Sequence, residues 1–199
     1  MANTDNPNGF RPVGTLSGAP WEGHIRHYRA SGSLTDIFPG DMVTLTADGT
    51  VDAADAAEEE IIGACVGFSP AQAGSTNGVT DHYISGTTPN LNKTYYDASV
   101  DGAAWVMVAV GPDVLYEVQT DGTITYTDVG NNCEITATAG DATKGISQQE
   151  ISSTTGTAVA QIRIVAPVNR VDNDVSSANS RWIVRINENH YNRVGMVGI

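Results

Sequence analysis

Basic residues are scarce in this chain: ten Lys and Arg among 199 residues, only Lys93 and Lys144 being lysines, against 23 Asp and Glu, for a formal net charge of −13. Phosphate backbones are bound by cationic stripes, which the bulk of such a chain would oppose, so free nucleic acid is not an expected partner. Apolar runs near the roughly 20 residues of a membrane helix are also missing, and no membrane partner is expected. The opening "MANTDNPNGF" has no basic stretch followed by an apolar one, so synthesis in a cytosol without a secretory signal is expected. Cysteine is limited to Cys65 and Cys133. A reducing compartment disfavours their pairing, and "GACVGF" (63–68) reads as an interior strand, so two separate buried thiols are expected.

Helical periodicity is absent as well. No segment repeats apolar residues at 3.6 spacing over the roughly 10–12 residues of an average helix. "AADAAEEE" (53–60) is helix-friendly in composition but has no apolar stripe, which supports a surface turn or two at most.

Motifs that carry chemistry are lacking too. There is no "GxxxxGK", "GxSxG" or "HExxH". His24 and His27, three apart on a strand, point to opposite faces and make no metal pair. Cys65 with His82 could be drawn as a thiol and its base, yet an apolar setting raises a thiol pKa. The acidic run at 52–60 lacks the alternating ligands and turn glycine of a calcium loop. No catalytic residue, metal site or cofactor is therefore expected, and the chain does not read as an enzyme.

What the chain has is Gly and Thr, 21 of each, and many short alternating segments separated by Gly, Pro, Asn or Asp. That pattern favours strands and turns. Strands are expected over 22–30, 41–47, 60–68, 81–85, 103–110, 113–119, 123–129, 133–139, 160–167 and 181–187. "AAWVMVAV" (103–110) is apolar on both parities, as for a strand covered on both faces. "DVLYEVQ" (113–119) alternates, with Val114, Tyr116 and Val118 on one side and Glu117 and Gln119 on the other. Asp48-Gly49 and Asp121-Gly122 each sit between alternating segments and predict type I′ hairpins. The expected fold is all-β: one β-barrel or jelly-roll-like sandwich over residues 22–191, with an extended N-terminal arm (1–21) and a C-terminal tail (192–199).

Charge is segregated along the chain. Residues 1–29 carry three Arg against Asp5 and Glu22, and residues 163–199 five Arg against three acids, whereas 30–162 hold 18 acids against two Lys. The arginines gather in the ends, at 11, 26 and 29, then at 163, 170, 181, 185 and 193. Guanidinium forks suit carboxylate pairing across protein interfaces. With the apolar and aromatic residues around them, the candidate interface set is Phe10, Arg11, Pro12, Trp21, Arg26, Arg29, Arg181, Trp182, Arg185, Tyr191 and Arg193. The competing reading puts both ends on the protein's own core, with Trp182 alternating inward beside Val184 and Ile186 while Arg181 and Arg185 face solvent.

Several stretches together resemble the small head-decoration, or capsid cement, proteins of tailed bacteriophages, the marine and cyanobacterial type in particular. They are "GFRPV" (9–13), "GAPWEGHIRHY" (18–28), "IFPGDMVTL" (37–45), "IIGACVGFSP" (61–70), "VGPDVLYEVQTDG" (110–122), "YTDVGNNCEIT" (126–136) and "WIVRINENHY" (182–191). The resemblance implies a non-enzymatic β-protein on the outer capsid surface of the virion, made in the host cytoplasm. Its partners would be the major capsid protein and other copies of itself, as a homotrimer or a dimer. A second class of function consistent with the sequence is a carbohydrate-binding or host-adhesion β-module on the virion surface, served by exposed aromatics such as Tyr83, Tyr95, Tyr96 and Trp105.

Overall fold

The computed structural model describes residues 3–30, 35–54, 60–70, 94–99 and 104–191. Eleven strands are present among them: β1 (Arg11–Thr15), β2 (Ile25–Arg29), β3 (Met42–Leu45), β4 (Val51–Ala53), β5 (Ile61–Pro70), β6 (Ala104–Val110), β7 (Val114–Gln119), β8 (Asn132–Thr136), β9 (Glu150–Gly156), β10 (Ile162–Pro167) and β11 (Arg181–Ile186). They form two antiparallel sheets packed as a sandwich, as the sequence led us to expect. One has six strands in the order β1-β7-β11-β10-β8-β9, and the other has five in the order β2-β6-β5-β3-β4.

Period-two sequences built the interior. In β7, Val114, Tyr116 and Val118 point inward, and in β11 so do Trp182, Val184 and Ile186. They meet Met42, Ile61, Ala64 and Ala109 from the five-stranded sheet, closing the first core. That sheet also buries its other face. Val43, Val51, Ile62, Cys65, Val106 and Val108 form a second core with Ala30, Ile37 and Tyr96. A parallel bridge between Ala30 and Val51 joins the ends of the sheet, so it curls around this second core. Apolar residues on both parities of β6 thus serve two cores, as expected of a strand covered on both sides. Cys65 and Cys133 are both free and buried. Burial raises both thiols, Cys133 to about 12.

Both Asp-Gly expectations need correction. β3 and β4 do form a hairpin across Asp48-Gly49, but its turn is not type I′. Gly49 alone sits at positive φ (79°) and donates its N–H to Thr46 O, while Thr46 N–H bonds Thr50 O. This is a three-residue loop with glycine in the left-handed position. At Asp121-Gly122 there is no hairpin, because the neighbours of β7 are β1 and β11. The Asp121 carboxylate instead accepts the Ser153 N–H (2.7 Å) and the Thr136 hydroxyl (2.8 Å), tying the chain to β8 and β9. Long-range acceptor chemistry outcompeted a local turn. The expected strand 123–129 is replaced by a 3-10 turn, Tyr126–Asp128, whose start is held by the Asp128 carboxylate on Thr125. The expected strand 81–85 lies outside the described residues.

The N-terminal residues are stitched to the body. Asn3 donates to Asp174 O (2.8 Å) and accepts from Asp174 N–H (2.9 Å). The Gln119 amide reaches Asp5 (3.0 Å), and Arg181 Nη2 reaches Asn6 O (3.0 Å). Gly9, at φ 60°, passes so close to Gly40 O that an added Cβ would stand 2.4 Å from it. Phe10 then enters the first core with no exposure, and β1 pairs with β7.

Candidate interaction surface

Inward alternation in β7 and β11 dictates what their other parity presents. Leu115, Glu117 and Gln119 of β7 and Arg181, Ile183 and Arg185 of β11 share the outer face of the six-stranded sheet. Register aligns them in rows. One row runs Leu115, Arg185, Arg163 and Asn132 across β7, β11, β10 and β8. The next runs Arg11, Glu117, Ile183 and Ala166 across β1, β7, β11 and β10. Gln119 faces Arg181 in a third. Leu115, Val165 and Ile183 are half-buried here.

The β1, β7, β11 and β10 part of this face is rich in arginine. Glu117 pairs with Arg170 at 3.1 Å and lies 3.8 Å from Arg181, and Arg11 stands opposite it in register. Arg163 and Arg185 are direct cross-strand partners. Like charges so placed destabilise a sheet. Burial, and secondarily the Arg185 charge, lower the Arg163 pKa. Arg163 Nε donates to Asn132 Oδ1 at 3.0 Å, which fixes its stem along the sheet. A polar groove of about 710 Å³ borders the face, lined by Asn3, Asn6, Arg170, Asp172, Asn173 and Arg181 among others. Arg11, Arg170 and Arg181 thus gather around the Glu117 carboxylate, Asp172 lies at the rim, 3.4 Å from Arg170, and β8 adds Glu134 on the same side of the sheet.

The interface residues expected from sequence divide into groups. Arg11, Arg181 and Arg185 do come together on this face, with Pro12 half-buried beside Arg11. Phe10 and Trp182 do not belong to a surface. Both have zero exposure in the first core, and Trp182 Nε1 donates internally to Ser180 Oγ (2.8 Å). Their apolar bulk was needed inside, which corrects the expectation for these two. Trp21 is half-buried against the same core, with its indole N–H buried and lacking an acceptor. Arg26 and Arg29 are exposed on β2, in the other sheet. Tyr191 is exposed and its hydroxyl bonds that of Tyr28 on β2. Arg193 lies outside the described residues.

Sequence reasoning missed Leu115, Glu117 and Ile183, and did not place Arg163 and Arg170 at a surface. The alternation that puts them outward was visible, but the pairing of β7 with β11, more than sixty residues apart, was not. The aromatics considered for glycan contact do not form an exposed platform among the described residues. Tyr96 is core, Tyr95 stacks on Phe38 (centroids 4.7 Å apart), Trp105 is half-buried, and Tyr83 lies outside the described residues. Among the described residues no group of three His, Cys, Asp or Glu could hold a metal ion, and no helix is long and apolar enough to cross a membrane. Compared with known proteins, the chain matches no protein family, no curated protein and no solved structure.

Proposed function

We propose that this protein is a structural component of a bacteriophage particle, binding the outer surface of the icosahedral capsid and cementing major capsid protein subunits. The observation that carries the docking part of this reading is the outer face of the six-stranded sheet. It presents half-buried Leu115, Val165 and Ile183 among Arg11, Arg163, Arg170, Arg181 and Arg185. Apolar centres rimmed by arginine are the composition of protein interfaces. A rigid sheet presents that surface without the ordering cost of a flexible one, so less binding free energy is lost on docking. The phage assignment itself comes from the sequence resemblance, which also implies assembly as a homotrimer or dimer. Exposed β2, with Arg26 and Arg29, is then available for contact between copies.

Co-sedimentation with capsids lacking their decoration tests the reading. The protein should pellet with the shells at about 50 mM salt and release by about 0.5 M, because exposed charge pairs are screened over that range. A protein that stays in the supernatant at low salt with intact, expanded shells is not a cement protein.

A further inference from the structure

A sheet ends in a strand whose outer backbone groups invite further pairing, and proteins cover or blunt such edges. Three of the four sheet ends in this fold are closed in part by the chain itself. Ala19 and Pro20 fold back on the end of β1, through the Thr15 N–H bond to Ala19 O (2.9 Å) and a bridge between Gly14 and Pro20. Ala30 bridges Val51 of β4, and the Thr35 N–H reaches the Asp52 carboxylate at 3.1 Å. Along β9, Asp121 N–H donates to Ile151 O (3.0 Å) and the Asp121 carboxylate accepts the Ser153 N–H (2.7 Å). β2 is the exception. Among the described residues its backbone bonds to β6 alone, and Ile25, Arg26, His27 and Arg29 are exposed, with only Tyr28 half-buried.

Register shows which of its backbone groups face outward. Val110 N–H donates to His24 O (3.2 Å) and Ala30 N–H to Ala104 O (2.8 Å), and bonded pairs alternate along an antiparallel ladder. Positions 26 and 28 therefore turn toward β6, while Ile25 and Arg29, with the position between them, direct N–H and C=O away from it. The side chains add a charge pattern. Residues 24–30 hold two arginines and no acid, with Glu22 the nearest acid in the sequence. Val108 and Trp105, the cross-strand neighbours of Arg26 and Arg29, offer no counter-charge. Among the described residues neither arginine forms an ion pair. Beyond Ala30, the Asp36 and Asp52 carboxylates accept the Ala98 and Thr35 N–H groups. Being three apart on a strand, Arg26 and Arg29 project from opposite faces.

We propose that β2 is a docking edge for an extended acidic segment of a partner protein, which adds to the five-stranded sheet as a sixth strand. The incoming backbone continues the ladder at Ile25 and Arg29. Two acidic residues three apart in that segment, one on each of its faces, meet Arg26 and Arg29. In this mode of recognition main-chain bonds supply affinity and side-chain pairs supply selectivity. Charge complementarity selects the occupant. A second β2 laid alongside would bring like charges together, so contact between copies is left to the side-chain faces of β2 and not to its edge. Nucleic acid has no ladder of N–H and C=O groups to offer, and the bulk of a chain of net charge −13 repels it along its length.

The test is a titration of the full chain with a fluorescently labelled decapeptide of Thr and Val carrying two Glu three apart, read by anisotropy at low salt. Saturable binding is expected, weakened at least tenfold by the double substitution Arg26→Gln and Arg29→Gln. The same peptide with every backbone N–H methylated keeps the charge but cannot donate to a ladder, and should also bind at least tenfold more weakly. Amide hydrogen exchange gives a second readout: the Ile25 and Arg29 amides should slow on addition of the peptide. Absence of peptide binding by the unaltered chain overturns the docking edge, as does equal binding by the double variant or of the methylated peptide. Tighter binding of a DNA oligonucleotide of matched charge would assign the strand to phosphates. Protection of the two amides in the peptide-free protein that grows with its own concentration would assign the edge to a second copy; either result overturns the proposal. None of these outcomes depends on capsids, so the edge and the cement role stand or fall separately.

Discussion

Asp41 carries its carboxyl into the interior, 3% exposed, between the Phe38 N–H that it accepts at 2.7 Å and the junction of Gly9, Gly40 and Ser147. Burial pushes its pKa up to about 6, against the opposing pull of hydrogen bonds from Ser147 and Phe38. The folded state therefore holds this proton more tightly than the unfolded chain does. Its contribution to stability is complete below about pH 4 and is lost as pH rises through about 6, amounting to about 3 kcal/mol for a shift of roughly two units. Other carboxylates act in the opposite sense. Asp48, Asp128, Asp141 and Asp174 have lowered pKa values through hydrogen bonds, from Thr155 across on β9 for Asp128, and, for Asp141, through Lys144 as well. The effect of Asp41 is thus read as a difference between two proteins. Thermal melts at pH 4.5 and 7.5 should show Asp41→Asn gaining on the unaltered protein by several degrees at the higher pH. An equal offset at both values would mean that the Asp41 carboxyl does not titrate there.

Among the elements, the strands that bury one clean parity were legible. β7 and β11 appear within a residue or two of their expected bounds, and β6 shows the two-faced burial its composition implied. Apart from β2, which falls inside the strand expected over 22–30, the edge strands were not. β1, β4 and β9 are short or rich in Ser and Thr, with little alternation to expose them, and "SSTTGT" (152–157) had the composition of a loop. β9 is a strand because β8 offers it a ladder, a cause that lies outside its own residues. The same limit hid the arginine face, whose members were individually visible but whose adjacency depends on strand order. The N-terminal arm shows the difference in energetic terms. Among the described residues, removing 1–6 takes away polar ties at Asn3, Asp5 and Asn6, and should lower the melting temperature slightly. Removing residues 1–15 also strips β1 from β7 and Phe10 from the core, a loss of at least the roughly 3–5 kcal/mol of a buried Phe. Urea unfolding of the two truncations should separate them clearly. Similar midpoints would show that Phe10 and β1 contribute little to the fold.

On the scale of the whole molecule, β5 and β6 wall two cores at once. Ile61, Ala64 and Ala109 serve the first, while Ile62, Cys65, Val106 and Val108 serve the second. A conventional sandwich can loosen one layer and keep the other. Among the described residues there is no seam along which half the protein could open by itself, since either side gives way only by dissolving a partition that the opposite side also needs. Heat should accordingly melt the protein in one step. The near-ultraviolet signal of the buried aromatics and the far-ultraviolet strand signal should vanish at the same temperature, and two separated transitions would show that the partition yields on one side first. Such indivisibility means that failure on heating is abrupt and that partly opened, adhesive forms are seldom present.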